Sequence, residues 1–363
     1  MKYFLVTGEL SGAKICAQLI EPISEQDSDA IIYAMGNPIL KDAGANVLIN
    51  IEGTRSVMGF TGLMSNIWFY KNLSTSLKTQ IKRIDPDIII FCDFAGFNLP
   101  MCRWAKKQGY KTIYIAPPKT WASRPYRNKF LATSTDDIVV LFPFEQDYFQ
   151  SVGIKAQFYG HPLVFNRAQK RPTAKVKYNI ILIAPGSRPQ ELRHTLPKIK
   201  GVMNLLDDYH FVISKAPSIT YEDITNHLSD VHIDRYHISE ASLNDLLQQV
   251  DLAIITSGTA TFEAAMANTP QIVVYNTSSI NYWIAKRLIK APYISLPNLI
   301  LNRQVVPELI QHDLTTDRLT QQINDLFSDS TKQMKDYQEI QSIYNQHHSC
   351  SHQMAKTIID RAK

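Results

Sequence analysis

The chain has 363 residues, 45% of them hydrophobic, and a formal net charge of +5. That length is too great for one ordinary core and suits two domains, and the apolar fraction excludes a disordered chain. So mild a basic excess lacks the clustered bias of a nucleic-acid binder and leaves anionic lipid or phosphate as the natural partners.

The N-terminal stretch 1–7 is short, apolar and followed at once by a glycine-bearing turn, so it reads as a strand and not as a signal peptide. Residues 3–7, 30–34, 87–92, 111–116 and 137–142 are β-rich runs that alternate with amphipathic stretches, the strongest being 63–84, as βαβ units and a parallel sheet require. The stretch 164–177, rich in Lys and Arg and holding Pro172, reads as a linker. Alternation then restarts at 179–184, 210–214, 231–236, 252–256 and 271–275, with helices expected at 195–207, 243–250 and 316–327. The expected class is α/β: two tandem Rossmann-like doubly wound domains facing across a cleft. No apolar run approaches the roughly 20 residues needed to cross a bilayer. The four cysteines, Cys16, Cys92, Cys102 and Cys350, have no metal-ligand or framework spacing, which points to a reducing, cytosolic compartment.

In such sheets ligands lie outside the carboxyl ends of the strands. That rule selects the polar residues of interest. Gly8-Glu9-Leu10-Ser11-Gly12 opens a helix after the first strand, either to approach an acceptor group or simply to pack strand on helix. Asp93 ends the most apolar strand of the first domain, where partial desolvation raises a carboxyl pKa toward that of a useful base; capping of the next helix is the alternative. Asn98 either orients Asp93 or binds a substrate hydroxyl. Gly186-Ser187-Arg188 follows the first strand of the second domain, and its guanidinium fork suits phosphate, with Glu191 placed to hold it. Ser257-Gly258-Thr259-Ala260-Thr261-Phe262-Glu263 reads as strand, tight turn and helix. It is either a phosphate cradle with Glu263 in reach of a ribose, or an ordinary capped helix. Asp85 and Asp87 precede their strand and read as a turn rather than a metal site. His161 has no partner at metal-ligand spacing, so no metal is expected, and His161 is placed at the lining of the cleft.

Between the first strands lies an apolar and aromatic stretch: Val57, Met58, Phe60, Leu63, Met64, Ile67, Trp68 and Phe69, flanked by Lys71, Lys78, Lys82 and Arg83. A core helix explains much of this periodicity. Trp68-Phe69-Tyr70 in succession cannot all face one core, which favours acyl-chain or membrane contact. Tyr282, Trp283, Ile284 and Leu288 with Lys286, Arg287 and Lys290 form a second such patch.

Taken together these motifs resemble the lipid-A-disaccharide synthase family, bacterial glycosyltransferases of GT-B type. The resemblance runs in order through Gly8 to Gly12, Val57-Met58-Gly59-Phe60, Asp93 with Phe97-Asn98, Trp121-Ala122, Pro143-Phe144-Glu145, Gly160-His161-Pro162, Pro185 to Arg188, Ser257 to Ala260 with Glu263, and Leu296-Pro297-Asn298-Leu299 with Glu308-Leu309. It implies an inverting transfer of 2,3-diacylglucosamine from its UDP derivative to 2,3-diacylglucosamine 1-phosphate, giving the disaccharide 1-phosphate and UDP without a cofactor. Asp93 would be the base, with Glu9 and Asn98 nearby. Gly186, Ser187, Arg188, Ser257, Gly258 and Thr259 would hold the pyrophosphate, Glu263 the ribose and Asn298 another part of the donor. It further implies a peripheral location on the cytoplasmic face of the inner membrane, allows a homodimer, and divides the chain into an acceptor domain (1–165), a donor domain (166–339) and a C-terminal segment (340–363) packed back on the first. Two other readings are a silent UDP-sugar or lipid binder and another UDP-sugar transferase or epimerase of the same build. Three departures stand out: Ala13 where the family usually has Asp, Gly96 where a second acidic residue often follows Asp93, and Ser123 after Trp121-Ala122, with Lys119 unusual before it.

Overall fold

The computed structural model describes residues 1–51, 63–163, 179–288, 291–347 and 349–363. The chain divides into two compact units, Met1–Phe165 with His347–Lys363, and Asn166–Gln346. In the first, β1 (Lys2–Thr7), β2 (Ile31–Gly36), β3 (Asn46–Asn50), β4 (Ile88–Cys92), β5 (Lys111–Ile115), β6 (Asp137–Val140) and β7 (Gln157–Phe158) alternate with α1 (Leu10–Gln26), α2 (Ile39–Asp42), α3 (Leu63–Ile84), α4 (Ala95–Lys107), α5 (Arg127–Ser134) and α6 (Pro143–Ser151). All strands are parallel, in the order β3-β2-β1-β4-β5-β6-β7. A central parallel strand is covered on both faces and must be apolar throughout. β4 meets this with Ile-Ile-Ile-Phe-Cys, every residue 0% exposed. Leu73, Leu77 and Ile81, spaced four apart on α3, join Phe4, Val6, Ile89 and Phe91 in one cluster.

The second unit contains β8 (Asn179–Ala184), α7 (Pro189–Leu205), β9 (Tyr209–Ser214), α8 (Tyr221–Thr225), β10 (Tyr236–Ser239), α9 (Leu243–Leu247), β11 (Leu252–Thr256), α10 (Ala260–Met266), β12 (Gln271–Tyr275), α11 (Ser279–Leu288), α12 (Leu296–Leu301), β13 (Glu308–Ile310), α13 (Thr316–Ser328) and α14 (Thr331–Asn345). Its strands, also parallel, run β10-β9-β8-β11-β12-β13. The last helix, α15 (Cys350–Ala362), belongs to the first unit, where it packs on α1 through a face that includes Met354, Ala355, Ile358 and Ile359.

Each sheet therefore reverses its strand order once, between β1 and β4 and between β8 and β11. At such a switch point the flanking loops diverge and leave a crevice above the carboxyl ends. Registers place these ends side by side: Thr7 pairs with Cys92, and Ala184 with Ile255.

Several boundaries differ from the sequence expectation. Residues 231–236 do not make a strand; Ile233–Arg235 is a 3-10 turn, with Ile233 66% exposed and Asp234 N bonded to the His232 ring, and the strand starts only at Tyr236. Helix α7 starts at Pro189, six residues before its expected start, because proline at the first helical position suits the turn after Arg188. Residues 340–345 stay in the second unit, since Tyr337, Ile340 and Tyr344 bury one face of α14, with Tyr344 against Phe262; the return to the first unit begins at His347. The expected linker 164–177 lies outside the described residues.

Candidate functional site

In the first unit the two expected carboxylates sit at the switch point. Glu9 is the N-cap of α1, immediately after the turn that follows β1. Asp93 follows β4, half-buried, and the Ser11 hydroxyl donates to its Oδ2 at 3.4 Å. Asp93 and Phe94 both adopt left-handed backbone with φ of 50°. For residues with a Cβ this costs on the order of 1–3 kcal/mol each and persists only where surrounding contacts impose it. The Phe94 ring fills the space above Gly8, where a Cβ would lie 2.0 Å from ring atoms, so the first glycine serves close packing. Gly96, by contrast, is exposed with open space around it, leaving room for the acidic side chain that the family often carries there.

Asn98 is 0% exposed and does not face a substrate hydroxyl. Its Nδ2 donates to the carbonyls of Val6, Cys92 and Asp93 at 3.3, 3.2 and 2.9 Å, tying β1 to the Asp93 turn. It orients Asp93 through the main chain. The Tyr114 hydroxyl, which sequence reasoning passed over, donates to the same Asp93 carbonyl at 2.7 Å.

An aromatic wall flanks this turn. Tyr70 lies 6.0 Å from Phe94 and 6.2 Å from Phe97 by ring centroids, and Phe69 lies edge-on to Tyr70 at 5.4 Å. Burial first, and then the Glu9 charge, raise the Tyr70 pKa, which places that phenol near Glu9. Trp68 is 68% exposed beneath the Lys71 ammonium, while Tyr70 joins the core, so the three successive aromatics do part company. Val57, Met58 and Phe60 lie outside the described residues, as do the side chains of Leu63, Met64 and Ile67.

Other polar residues of the first unit are structural. Glu145 is buried, accepts from Trp121 Nε1 at 3.1 Å and from Leu141 N and Phe142 N at 3.3 Å, and burial raises its pKa. His161 is buried rather than open; burial depresses its pKa to about 4. Asp85 has φ of 49° and Asp87 accepts from Lys2 N at 2.8 Å, which makes the pair a turn.

In the second unit, Gly186-Ser187-Arg188 and the Ser257 turn flank the other switch point. Gly186 has φ of +110°, and a Cβ there would lie 2.3 Å from Glu191 Oε2, so only glycine fits. Glu191 accepts from Ser187 N at 3.0 Å through one oxygen and from Arg188 at 3.2 Å through the other. The Arg188 side chain remains 47% exposed. The Ser257 hydroxyl is engaged with the Ile294 carbonyl at 2.7 Å and its N–H with the Val274 carbonyl at 3.2 Å, so this residue shapes the turn and leaves ligand contact to its neighbours. Gly258 is unhindered, with only the Thr256 carbonyl within 4 Å of a Cβ position, and Thr259 is exposed. The start of α10 is tightly wound, with Thr261 N donating to Gly258 O at 3.2 Å and Phe262 N to Thr259 O at 3.0 Å. Glu263 is exposed in the first turn of α10.

Asn298 departs from its expected role. It is 0% exposed, donates to Val306 O and Glu308 Oε1 at 3.0 and 2.8 Å, and accepts from Val305 N and Val306 N at 2.7 and 2.8 Å. Its amide braces α12 against β13 and does not reach a donor. Glu308 is the hub of this brace, also accepting from Ser295 N at 2.9 Å and from the Ser295 hydroxyl at 2.6 Å. Trp283 on α11 is 56% exposed, with the Arg287 guanidinium 3.6 Å over its ring. Among the described residues no cluster of three His, Cys, Asp or Glu is placed to hold a metal, and no helix is long and apolar enough to cross a membrane.

This geometry offers a carboxylate at one switch point, and at the other a half-exposed guanidinium with a glycine-bearing turn. Residues 3–362 match the lipid-A-disaccharide synthetase family. A lipid-A-disaccharide synthase of Acidobacterium capsulatum is 31% identical over 348 residues, covering 89% of this chain and 86% of that protein. Among solved structures, the glycotransferase of kitacinnamycin superposes with a TM-score of 0.68 at 13% identity, over 99% of this chain and 98% of that one. UDP-GlcNAc 2-epimerase from Neisseria meningitidis, bound to UDP-GlcNAc, gives 0.67 at 13% identity, over 99% and 100%. Likeness at that identity speaks for the fold, which is of GT-B type.

Proposed function

The chain belongs to the lipid-A-disaccharide synthetase family, and on that premise we propose that it transfers 2,3-diacylglucosamine from UDP-2,3-diacylglucosamine to the 6-hydroxyl of 2,3-diacylglucosamine 1-phosphate. The observation that carries the division of labour is the placement of Asp93 and Arg188 at the switch points of separate sheets. Asp93 takes the proton of the 6-hydroxyl as that oxygen attacks the anomeric carbon. The bond from that carbon to the UDP oxygen breaks, its electron pair leaves on the β-phosphate, and the anomeric centre inverts. Arg188 and the N–H groups of Gly186, Gly258 and Thr259 meet the developing charge, the role for which fixed donors are most effective, while the Ser187 N–H is held by Glu191 and sets the shape of the turn. Glu263 holds the ribose. No cofactor enters these steps.

The wall of Phe69, Tyr70, Phe94 and Phe97 beside Glu9 and Asp93 gives an acyl chain apolar cover next to the reacting hydroxyl. Exposed Trp68 and Trp283, each beneath a cation, suit the interface of an anionic bilayer, and the protein accordingly works on the cytoplasmic face of the inner membrane. Purified protein given both substrates is expected to release UDP and disaccharide 1-phosphate in equal amounts. Donor binding with neither product would overturn the reading in favour of a silent binder, and epimerised UDP-sugar in favour of an epimerase.

A further inference from the structure

We propose that Tyr114 is a positioning residue for the reaction, acting on the Asp93 carboxylate through the Asp93 main-chain carbonyl; the inference rests on Asp93 being the acceptor base. The chain leaves β4 through two consecutive left-handed residues, Asp93 and Phe94, and neither is glycine. Such a bend reverts to a commoner conformation unless its peptide groups are held from outside. The Phe94 carbonyl is held by Phe97 N at 3.1 Å and Asn98 N at 2.9 Å in the first turn of α4. Asp93 itself is held across the sheet: Asp93 N donates to Ile115 O at 3.1 Å, and the Asp93 carbonyl accepts from Tyr114 Oη at 2.7 Å and Asn98 Nδ2 at 2.9 Å.

These two donors are not equivalent. Asn98 Nδ2 has two hydrogens and three carbonyls in range, so its bond to Asp93 competes with those to Val6 and Cys92. Asn98 Oδ1 is buried with no hydrogen-bond partner among the described residues, as expected of an amide placed for its donors. Tyr114 gives its single proton to Asp93. Its ring is 0% exposed and packs on Phe91 of the neighbouring strand at 6.3 Å between centroids, so the hydroxyl has little freedom to follow a moving carbonyl. Burial, helped by the Asp93 charge, raises the phenol pKa and keeps it protonated, a constant donor. Fixing that carbonyl fixes ψ of Asp93 and φ of Phe94. It thereby fixes the direction of the Asp93 Cα–Cβ bond, along which the carboxylate meets the Ser11 hydroxyl and the acceptor.

Tyr114→Phe removes the hydroxyl and keeps the ring. The test compares wild type, Tyr114→Phe, Asp93→Asn and the double variant for kcat, UDP affinity and melting temperature. Tyr114→Phe is expected to lower kcat roughly 10- to 100-fold, the scale of a misaligned catalytic group, with UDP affinity unchanged. In the Asp93→Asn background the same change is expected to alter residual turnover by less than about twofold, because residues acting as a unit are not additive. 3-Fluorotyrosine at position 114 keeps ring and hydroxyl and is expected to restore kcat within about twofold, a control that holds even if the Phe variant melts early. Equal losses in both backgrounds, or a lower melting temperature with kcat unchanged, would overturn the positioning role while leaving the base in place. Full turnover by Asp93→Asn would instead overturn the base assignment itself.

Discussion

Arg188 and Glu191 form an ion pair at 3.2 Å across the start of α7, and the second oxygen of Glu191 accepts from Ser187 N at 3.0 Å. One carboxylate thus sets both the guanidinium and the backbone of the proposed pyrophosphate site. An exposed pair of this kind adds at most about 1 kcal/mol to folding, so its value lies in placement. Glu191→Ala is expected to weaken UDP binding about tenfold, or about 1.4 kcal/mol, with little change in melting temperature. Titration calorimetry with UDP checks this, and unchanged affinity would show that Arg188 needs no brace.

Asn298 should behave in the opposite way. Asn298→Ala takes from Val305 N, Val306 N and the Val306 carbonyl their Asn298 partner in a buried setting, which costs at least about 3 kcal/mol. For a unit of this size the melting temperature is expected to fall by roughly 6 to 12 °C. UDP affinity of the protein that remains folded should hold. A selective loss of UDP binding would return Asn298 to the donor site.

Acid stability carries the mark of His161. Its folded pKa of about 4 lies below the ordinary 6.5, so between those values the unfolded chain binds a proton that the native protein refuses. Its contribution is present above pH 6.5 and is lost as pH falls toward 4, by up to about 3 kcal/mol. Glu145 works against it, since a raised carboxyl pKa favours the native state as pH falls. Urea denaturation of wild type and His161→Gln across this range isolates the histidine. The difference in stability between them should change along that slope, and a constant difference would mean that His161 titrates normally in the fold.

Ala13 is 0% exposed, so the carboxylate usual in the family at this position would be buried behind the turn and not in open contact with substrate. Ala13→Asp is expected to lower the melting temperature, by about 2 kcal/mol or more in stability, and to leave kcat no higher. A rise in kcat in the disaccharide assay would show that the missing acid was catalytic.

Periodicity made the sheets legible because buried parallel strands such as Ile88–Cys92 and Leu252–Thr256 are apolar throughout, and the carboxyl-end rule then picked out Asp93, Arg188 and the Ser257 turn. The short strands β3, β7 and β13 escaped notice, since two to five residues at or near a sheet edge carry too little pattern. The sequence leaves Asn98 open between orienting Asp93 and binding substrate, and points Asn298 at the donor, because an amide near a strand end looks the same whether it faces solvent or backbone. Only the fold shows that both are fully buried braces. Tyr114 reads as an ordinary strand aromatic; the available signal was a polar-tipped ring on the strand beside the Asp93 strand, one residue short of its end.

The central claim is that Asp93 is the base and the second unit holds the donor. The most direct measurement is single-turnover transfer by Asp93→Asn alongside its affinity for UDP. Turnover is expected to fall by about 10²- to 10⁴-fold, the span of general-base catalysis, with UDP affinity as in wild type. Turnover near the wild-type rate, or loss of UDP binding, would contradict the account.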